Sequence, residues 1–510
     1  MKRTGNVGPT LAAASSRGVC ENRNGLPMSG RALAPKGRHS KARGNAPGFR
    51  IWPRWGRRAF HFMVGLVVLG PSLLRADDWP MLGGRPDRNM VARETGLPTE
   101  WDAGEKKPRK NIRWIAPLGK VTFGAPVIAG GRVFIGTDSD TADPTQQRGV
   151  LKCFAEADGK LLWSASHEKL RNPGEDDGTI GICSTPCVAG DRVFYVSNRG
   201  ELVCRAVEDG RELWSIDMRA TLGVAPNQAS SSSPLVVDGR VFVVTGHAAD
   251  HKTGKVKNPA APSFLAAEAA TGKILWQDSS PGARILTGQW GSPGYGVVGG
   301  VAQVAFPGGD GWLYSFEPAT GKLLWKFNGK AHEKALPSGE PETTFQFLAA
   351  PVFVGDRVFA AIGEPEAGTG PGALRCLDAS QRGDVTKTAE VWRLDGKDFN
   401  DSISMPVVHD GLVYAADAPG YVHCLDAATG KRLWTHDLKS NIWGSPLVAD
   451  GKVYVQSSEG LVVIFATGRE KKVIASNGSL PDVQHGTPVA ANGILYIAGQ
   501  KHLFAIVAGP

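Results

Sequence analysis

SMPVVHDGLVYAADAPGYVHCLDAATGKRLW, residues 404–434, decides the fold. After Pro406 comes a short apolar run, VVH. The pair Asp410-Gly411 supplies the positive φ of a tight hairpin, and LVYAA returns. A connection leads to YVHCLD, the turn Ala428-Thr429-Gly430, and a last strand ending at Trp434. Alternating apolar residues and β-branched content make each run a strand. The unit is therefore strand A, tight turn, strand B, connection, strand C, tight turn, strand D. A proline at the start of strand A is tolerated because no ladder bond is yet needed there.

Searching outward for the same signature finds it eight times, with prolines at 126, 186, 234, 293, 351, 406, 446 and 488. The Leu-Trp ending recurs at Trp163, Trp214, Trp276, Trp325 and Trp434. Copy five is looser, reaching Val391-Trp392 through SQRGDVTKTAE, and copy seven has Val473-Ile474 instead. The recurring tryptophan reads as an apolar plate between neighbouring twisted blades. Copy eight ends after Leu503-Phe504-Ala505-Ile506 without a strand D. Asn111-Ile112-Arg113-Trp114-Ile115 stands alone before copy one and looks like the missing strand. The expectation is an all-β chain: an eight-bladed β-propeller of four-stranded antiparallel blades, closed by an N-terminal strand in the last blade, which removes the exposed edge.

The chain then divides into a basic leader (1–76), an N-terminal extension (77–110) and the propeller (111–510). The formal charge of +9 belongs to the leader: residues 1–76 hold 14 Lys/Arg and one acid, the remainder 44 Lys/Arg against 48 Asp/Glu. A mildly acidic body argues against nucleic acid as partner. Arg54, Arg57 and Arg58 precede an apolar run from Phe60 to Leu74, too short for a comfortable membrane span and suited to an export signal, with Ala76 as a small residue for cleavage. Arg57-Arg58-Ala59-Phe60 resembles the twin-arginine pattern, and an ordinary secretory signal is the alternative. Leu74 three places before cleavage leaves an uncleaved anchor open. Residues 1–50, rich in Gly, Arg and Ser, read as unstructured or as sequence upstream of the true start. The protein is expected to be exported to the periplasm or cell envelope and to be a monomer, touching membrane only through an uncleaved signal.

Cys153, Cys204, Cys376 and Cys424 share one register of the repeat and read as small buried strand residues. Cys183 and Cys187 are too far apart along an extended strand to bridge each other. There is no CxxC and no haem-attachment motif.

Topology also places function. The A–B and C–D turns share one face and are almost all tight. The long insertions (138–149, 167–180, 219–230, 247–262, 328–346, 363–372 and 395–403) are B–C or D–A connections on the other. Binding residues belong on loops held by a rigid scaffold. Three places before each repeat proline stand Phe123, Cys183, Ser231, Trp290, Leu348, Ile403, Trp443 and His485, expected to ring the axial funnel. Beside them lie Gln289, Gln346, Asp401, Asn441 and Gln484. Aromatics beside amides and a carboxylate suit a small-ligand or peptide mouth. The alternative is that these residues plug the channel and hydrogen-bond one another. Asp401 and Glu364 read as solvated loop acids rather than a catalytic pair. No metal-ligand spacing, phosphate-binding glycine loop or nucleophile elbow occurs.

The ATGKxLW turns, the SPxVxxGxVY strands and the opening Asp78-Trp79-Pro80…Gly83…Gly96-Leu97-Pro98…Trp101 together resemble the pyrroloquinoline-quinone (PQQ)-like propeller family over residues 77–510. The opening is similar to that of exported propellers of planctomycete-type bacteria. One branch with this fold is the quinoprotein alcohol dehydrogenases; another is the outer-membrane-assembly scaffold lipoprotein, which binds protein partners and no quinone. The first implies an adjacent-cysteine disulfide, a calcium held by acid and amide side chains, and a catalytic aspartate. No Cys-Cys occurs here and no calcium set maps residue by residue; Trp290 in GQWGSP is the candidate platform for a planar ring. The second implies a lipidated cysteine directly after the apolar run, and none lies near Ala76. The reading is a non-catalytic envelope module without cofactor, binding a protein or small ligand. The alternative is a PQQ- and calcium-dependent alcohol or sugar dehydrogenase with non-standard cofactor residues, and a third is a polysaccharide or peptide sensor.

Overall fold

The computed structural model describes residues 77–510 except 105–108, 142, 144–145, 171–179, 227–231, 251, 331–344, 364–370, 479, 483–484 and 510. The expected leader and export signal, with Ser231, Glu364 and Gln484, lie outside the described residues. No described helix is long and apolar enough to cross a membrane.

Eight antiparallel sheets form the ring. Blade 6, the unit quoted above, is Val407–His409, Leu412–Ala416, Tyr421–Asp426 and Arg432–Asp437, paired in that order. Blade 8 joins Val489–Ala491, Ile494–Ala498 and His502–Ile506 to Ile112–Pro117, with Trp114 opposite Ala505. The orphan strand thus closes the ring as expected. Strand A is innermost, and strands A of successive blades pack on one another.

Two details depart from the expected regularity. The insertion SQRGDVTKTAE forms a short strand, Gly383–Asp384, parallel to Leu323–Asn328, so blade 4 has five strands and its outer edge is covered. Residues 395–400, expected as loop, continue the last strand of blade 5, Glu390–Asn400.

The tryptophans explain the turn glycines. Trp163 of blade 1 donates its indole N–H to the Val207 carbonyl of blade 2 at 3.0 Å. A Cβ on Gly210 would stand 2.5 Å from that indole. The same pairing joins Trp114 to Gly159, Trp214 to Gly272, Trp276 to Gly321 and Trp392 to Gly430. Trp325 faces the irregular turn of blade 5 and instead donates to Gln303 Oε1 at 2.7 Å. Gly210→Ala is expected to cost at least about 2 kcal/mol, from an L side chain at positive φ plus the clash with the indole. Gly239→Ala, at a similar φ of 71° but with open space around it, should cost about 1 kcal/mol. Urea midpoints of the two variants check the contrast.

Cys153, Cys204, Cys376 and Cys424 are free thiols buried on strand C of their blades. Burial pushes the Cys187 thiol up to about 11.

The extension is the unexpected element. Residues 77–94 run round the inner end of the ring and bond to every blade. Two places beyond the repeat proline, the backbone N–H of strand A is donated to this segment. Ile128 gives its N–H to Trp79 O, Val188 to Pro80 O, Tyr295 to Pro86 O, Phe353 to Asp87 O and Val448 to Met90 O, at 2.7–3.0 Å. Val408 gives its N–H to Asn89 Oδ1 at 2.9 Å. In blade 3, Arg88 takes the carbonyls of Ser233 and Pro234. In blade 8 the Glu94 carboxylate accepts the N–H groups of Asn492 and Gly493. Inner strands otherwise present an unpaired edge, and buried backbone donors need acceptors. Gly83 allows the segment to double back: its φ is 79°, and a Cβ there would lie 2.6 Å from Arg88 Cα.

Candidate functional site

A cavity of 390 Å³ lies on the axis. Its rim contains Phe123, Cys183, Trp290, Leu348, Ile403, Trp443 and His485, one from each blade except blade 3, whose Ser231 is not described. The register three places before the proline therefore assembles where it was expected. Leu82 of the N-terminal segment also lines the cavity. The segment occupies one end of the axis, so the cavity is a cup with its mouth on the loop-bearing face.

Three of the rim rings lie together. His485 stacks on Trp443 with centroids 4.7 Å apart and planes at 24°, and on Phe123 at 5.3 Å and 14°. Trp443 remains 41% exposed, leaving much of its indole available. Burial holds the His485 imidazole below its ordinary pKa, favouring the neutral ring. A depressed folded pKa contributes stability at pH above 6.5 that is lost as pH falls below it. Relative to the native chain, His485→Phe is therefore expected to gain stability between pH 6.5 and 5; urea midpoints of both chains across that range check it.

Below the rim, the residue immediately before each proline forms a second ring: Ala125, Thr185, Ser233, Ser292, Ala350, Met405, Ser445 and Thr487, all lining the cup. Here blades are tied hydroxyl to backbone. Ala125 N–H donates to Thr185 Oγ1 at 2.9 Å, Thr185 N–H to Ser233 Oγ at 3.0 Å and Ser233 N–H to Ser292 Oγ at 2.9 Å. Met405 N–H donates to Ser445 Oγ at 2.9 Å, and Ser445 N–H to Thr487 Oγ1 at 3.0 Å. The chain of bonds stops where the next blade carries no hydroxyl: after Ser292, after Ala350 and after Thr487. In the sequence these positions are marked only as the residue before each repeat proline.

The neighbouring polar residues do not line the cup. Gln289 is buried and donates to the His247 carbonyl at 2.8 Å and to Ser263 Oγ at 3.1 Å. Gln346 is buried and donates to Thr287 Oγ1 at 2.6 Å. Asp401 is buried, not the solvated loop acid expected, and its backbone carbonyl accepts the Ala418 N–H. Asn441 is exposed at the foot of the loop to Trp443, its carbonyl taking the Ser458 N–H. The cup's described wall consequently holds no carboxylate, lysine or arginine. A PQQ molecule with calcium needs oxygen ligands for a hard cation and counter-charges for its carboxylates. The described wall supplies no carboxylate for the cation and no counter-charge for the quinone, and does not fit that cofactor. No group of three or more potential metal ligands occurs among the described residues.

Comparison with known proteins follows the same line. The family described as outer membrane protein assembly factor BamB matches residues 147–385 and 381–508. The chain is 25% identical over 293 residues to the protein of that name from Moranella endobia, covering 54% of this chain and 63% of the relative, less than two thirds of its length. Among solved structures, BamB from Moraxella catarrhalis superposes with a TM-score of 0.50 at 13% identity, covering 77% of this chain and 97% of that one. The quinohemoprotein alcohol dehydrogenase from Comamonas testosteroni gives 0.58 at 13% identity, covering 85% and 81%, a likeness of fold alone. With eight PQQ-like repeats in phase and the family matched over most of the ring, the chain belongs to the BamB family of PQQ-like repeat β-propellers.

Proposed function

We propose that the protein is a non-catalytic binding module of the cell envelope, exported by its leader and acting as a monomer, that receives a protein partner on its loop-bearing face. The observation that carries this reading is the one-ended uncharged cup: rings surround its mouth, and its described wall holds no charged group. Catalysis of alcohol oxidation requires a cation to polarise the quinone and a base to take the alcohol proton. In the described wall only the neutral imidazole of His485 could take that proton, and no carboxylate stands there to hold the cation. The relatives that carry the family's name, assembly factors of the outer membrane, support a scaffold rather than an enzyme.

Addition of PQQ and calcium to the purified chain tests this. The expected result is no bound quinone spectrum and no alcohol-dependent dye reduction. Dye reduction dependent on both alcohol and quinone would overturn the reading.

A further inference from the structure

We propose that the cup takes the uncharged phenol ring of a tyrosine carried by the protein partner, an inference that rests on the binding-module reading above. The wall is rich in donors. Thr185, Ser233, Ser292, Ser445 and Thr487 each accept a neighbouring blade's N–H through the hydroxyl oxygen. None of the five hydroxyls donates to an acceptor among the described residues, and all five are over nine-tenths buried. The three interruptions add backbone donors. At Ser292, Ala350 and Thr487, the place of the neighbour's hydroxyl is taken by Ala350, Met405 and Ala125. Among the described residues, nothing else accepts these three N–H groups. Buried backbone donors are rarely left so. Two of the three, Ser292 and Ala350, belong to adjacent blades 4 and 5. Blade 4 stands across the eight-membered ring from blade 8, whose His485 is flanked by Trp443 and Phe123.

A fitting occupant therefore brings an aromatic face to one side and an acceptor oxygen to the other, without charge. Phenylalanine has no acceptor, and the indole N–H of tryptophan is a donor only. A carboxylate would lack a counter-charge in the described wall. The phenol oxygen of tyrosine accepts, and its ring stacks. Tyrosine side chains in enclosed pockets are also the anchors that dominate protein–protein binding.

The test uses the full chain and calorimetric titration with N-acetyl-tyrosinamide, N-acetyl-phenylalaninamide, free p-cresol and a heptapeptide with a central tyrosine. The tyrosine amide is expected to bind at least about tenfold more tightly than the phenylalanine amide, because loss of the hydroxyl leaves buried donors unpaired. Trp443→Ala should weaken both amides by about tenfold. Native thermal unfolding of this variant excludes misfolding as the cause. Equal binding of the two amides would overturn the proposal. Binding of p-cresol without the heptapeptide would overturn the protein source. If no phenol binds while dye reduction is also absent, this inference fails and the non-catalytic reading stands.

Discussion

Arg88→Ala is expected to lower the stability of the chain by about 3–5 kcal/mol, measured by urea unfolding. The side chain is fully buried, and its guanidinium spans the inner ends of the blades. Nε donates to Pro293 O at 2.7 Å, Nη1 to Leu82 O at 2.8 Å, and Nη2 to Ser233 O and Pro234 O at 3.2 Å each. Burial pulls its pKa down to about 10, so it stays charged at neutral pH. Its partners are carbonyl dipoles, three of them from blades 3 and 4 and one from the segment that carries it. Alanine would leave all four carbonyls facing a void. Arg88→Lys keeps the charge but not the fork, and should recover only part of the loss. A loss below about 1 kcal/mol, the size of an ordinary surface substitution or less, would show that the segment does not hold the blades together.

The larger effect should come from starting the chain at residue 118. This removes Ile112–Pro117 from blade 8 and exposes the edge of His502–Ile506. It also removes Trp114, 7% exposed, whose indole N–H donates to Glu156 O of blade 1 at 2.8 Å. The six strand A donors lose their acceptors at the same time. A large buried aromatic alone is worth about 3–5 kcal/mol, and an open edge invites intermolecular pairing. The truncated chain is expected to lose its cooperative thermal transition and to aggregate. Starting instead at residue 95 keeps the closing strand while removing the inner segment. That chain should fold, less stably, with the axis open from end to end. Native-like melting of the chain that begins at 118 would contradict ring closure by Ile112–Pro117.

The blade count, strand order and closing strand were legible because they are periodic. Each Asp-Gly or Thr-Gly pair marks a hairpin, and the missing eighth strand D could be matched to the solitary run around Trp114. The rim of the cup was legible for the same reason, since a fixed offset from a repeated proline is a fixed position on the axis. The polar neighbours were not. Gln289 and Gln346 sit in loops whose backbone groups need partners, and their amides turn to His247 O and Thr287 Oγ1 instead of the axis. Residues 77–94 were least legible. The opening Asp78-Trp79-Pro80…Gly83 was visible as a motif, but its partners lie up to some 400 positions away in sequence, from Ile128 to Gly493, and an aperiodic segment gives no register from which to find them. Its glycines make sense only in three dimensions, Gly83 against the Arg88 backbone and Gly84 against the Trp79 indole. The blade 4 edge strand, Gly383–Asp384, was hidden in the one C–D insertion that breaks the repeat.

Closure of the axis by residues 77–94 underlies both the cup and its single mouth, and amide hydrogen exchange reports on it residue by residue. The amides of Ile128, Val188, Tyr295, Phe353, Val408 and Val448 should exchange only through global unfolding in the intact chain, and should become fast together in the chain that begins at residue 95. Rapid exchange of these six amides in the intact chain, beside protected amides on strands B and C of the same blades, would mean that the inner strand edges face water and that the channel is open.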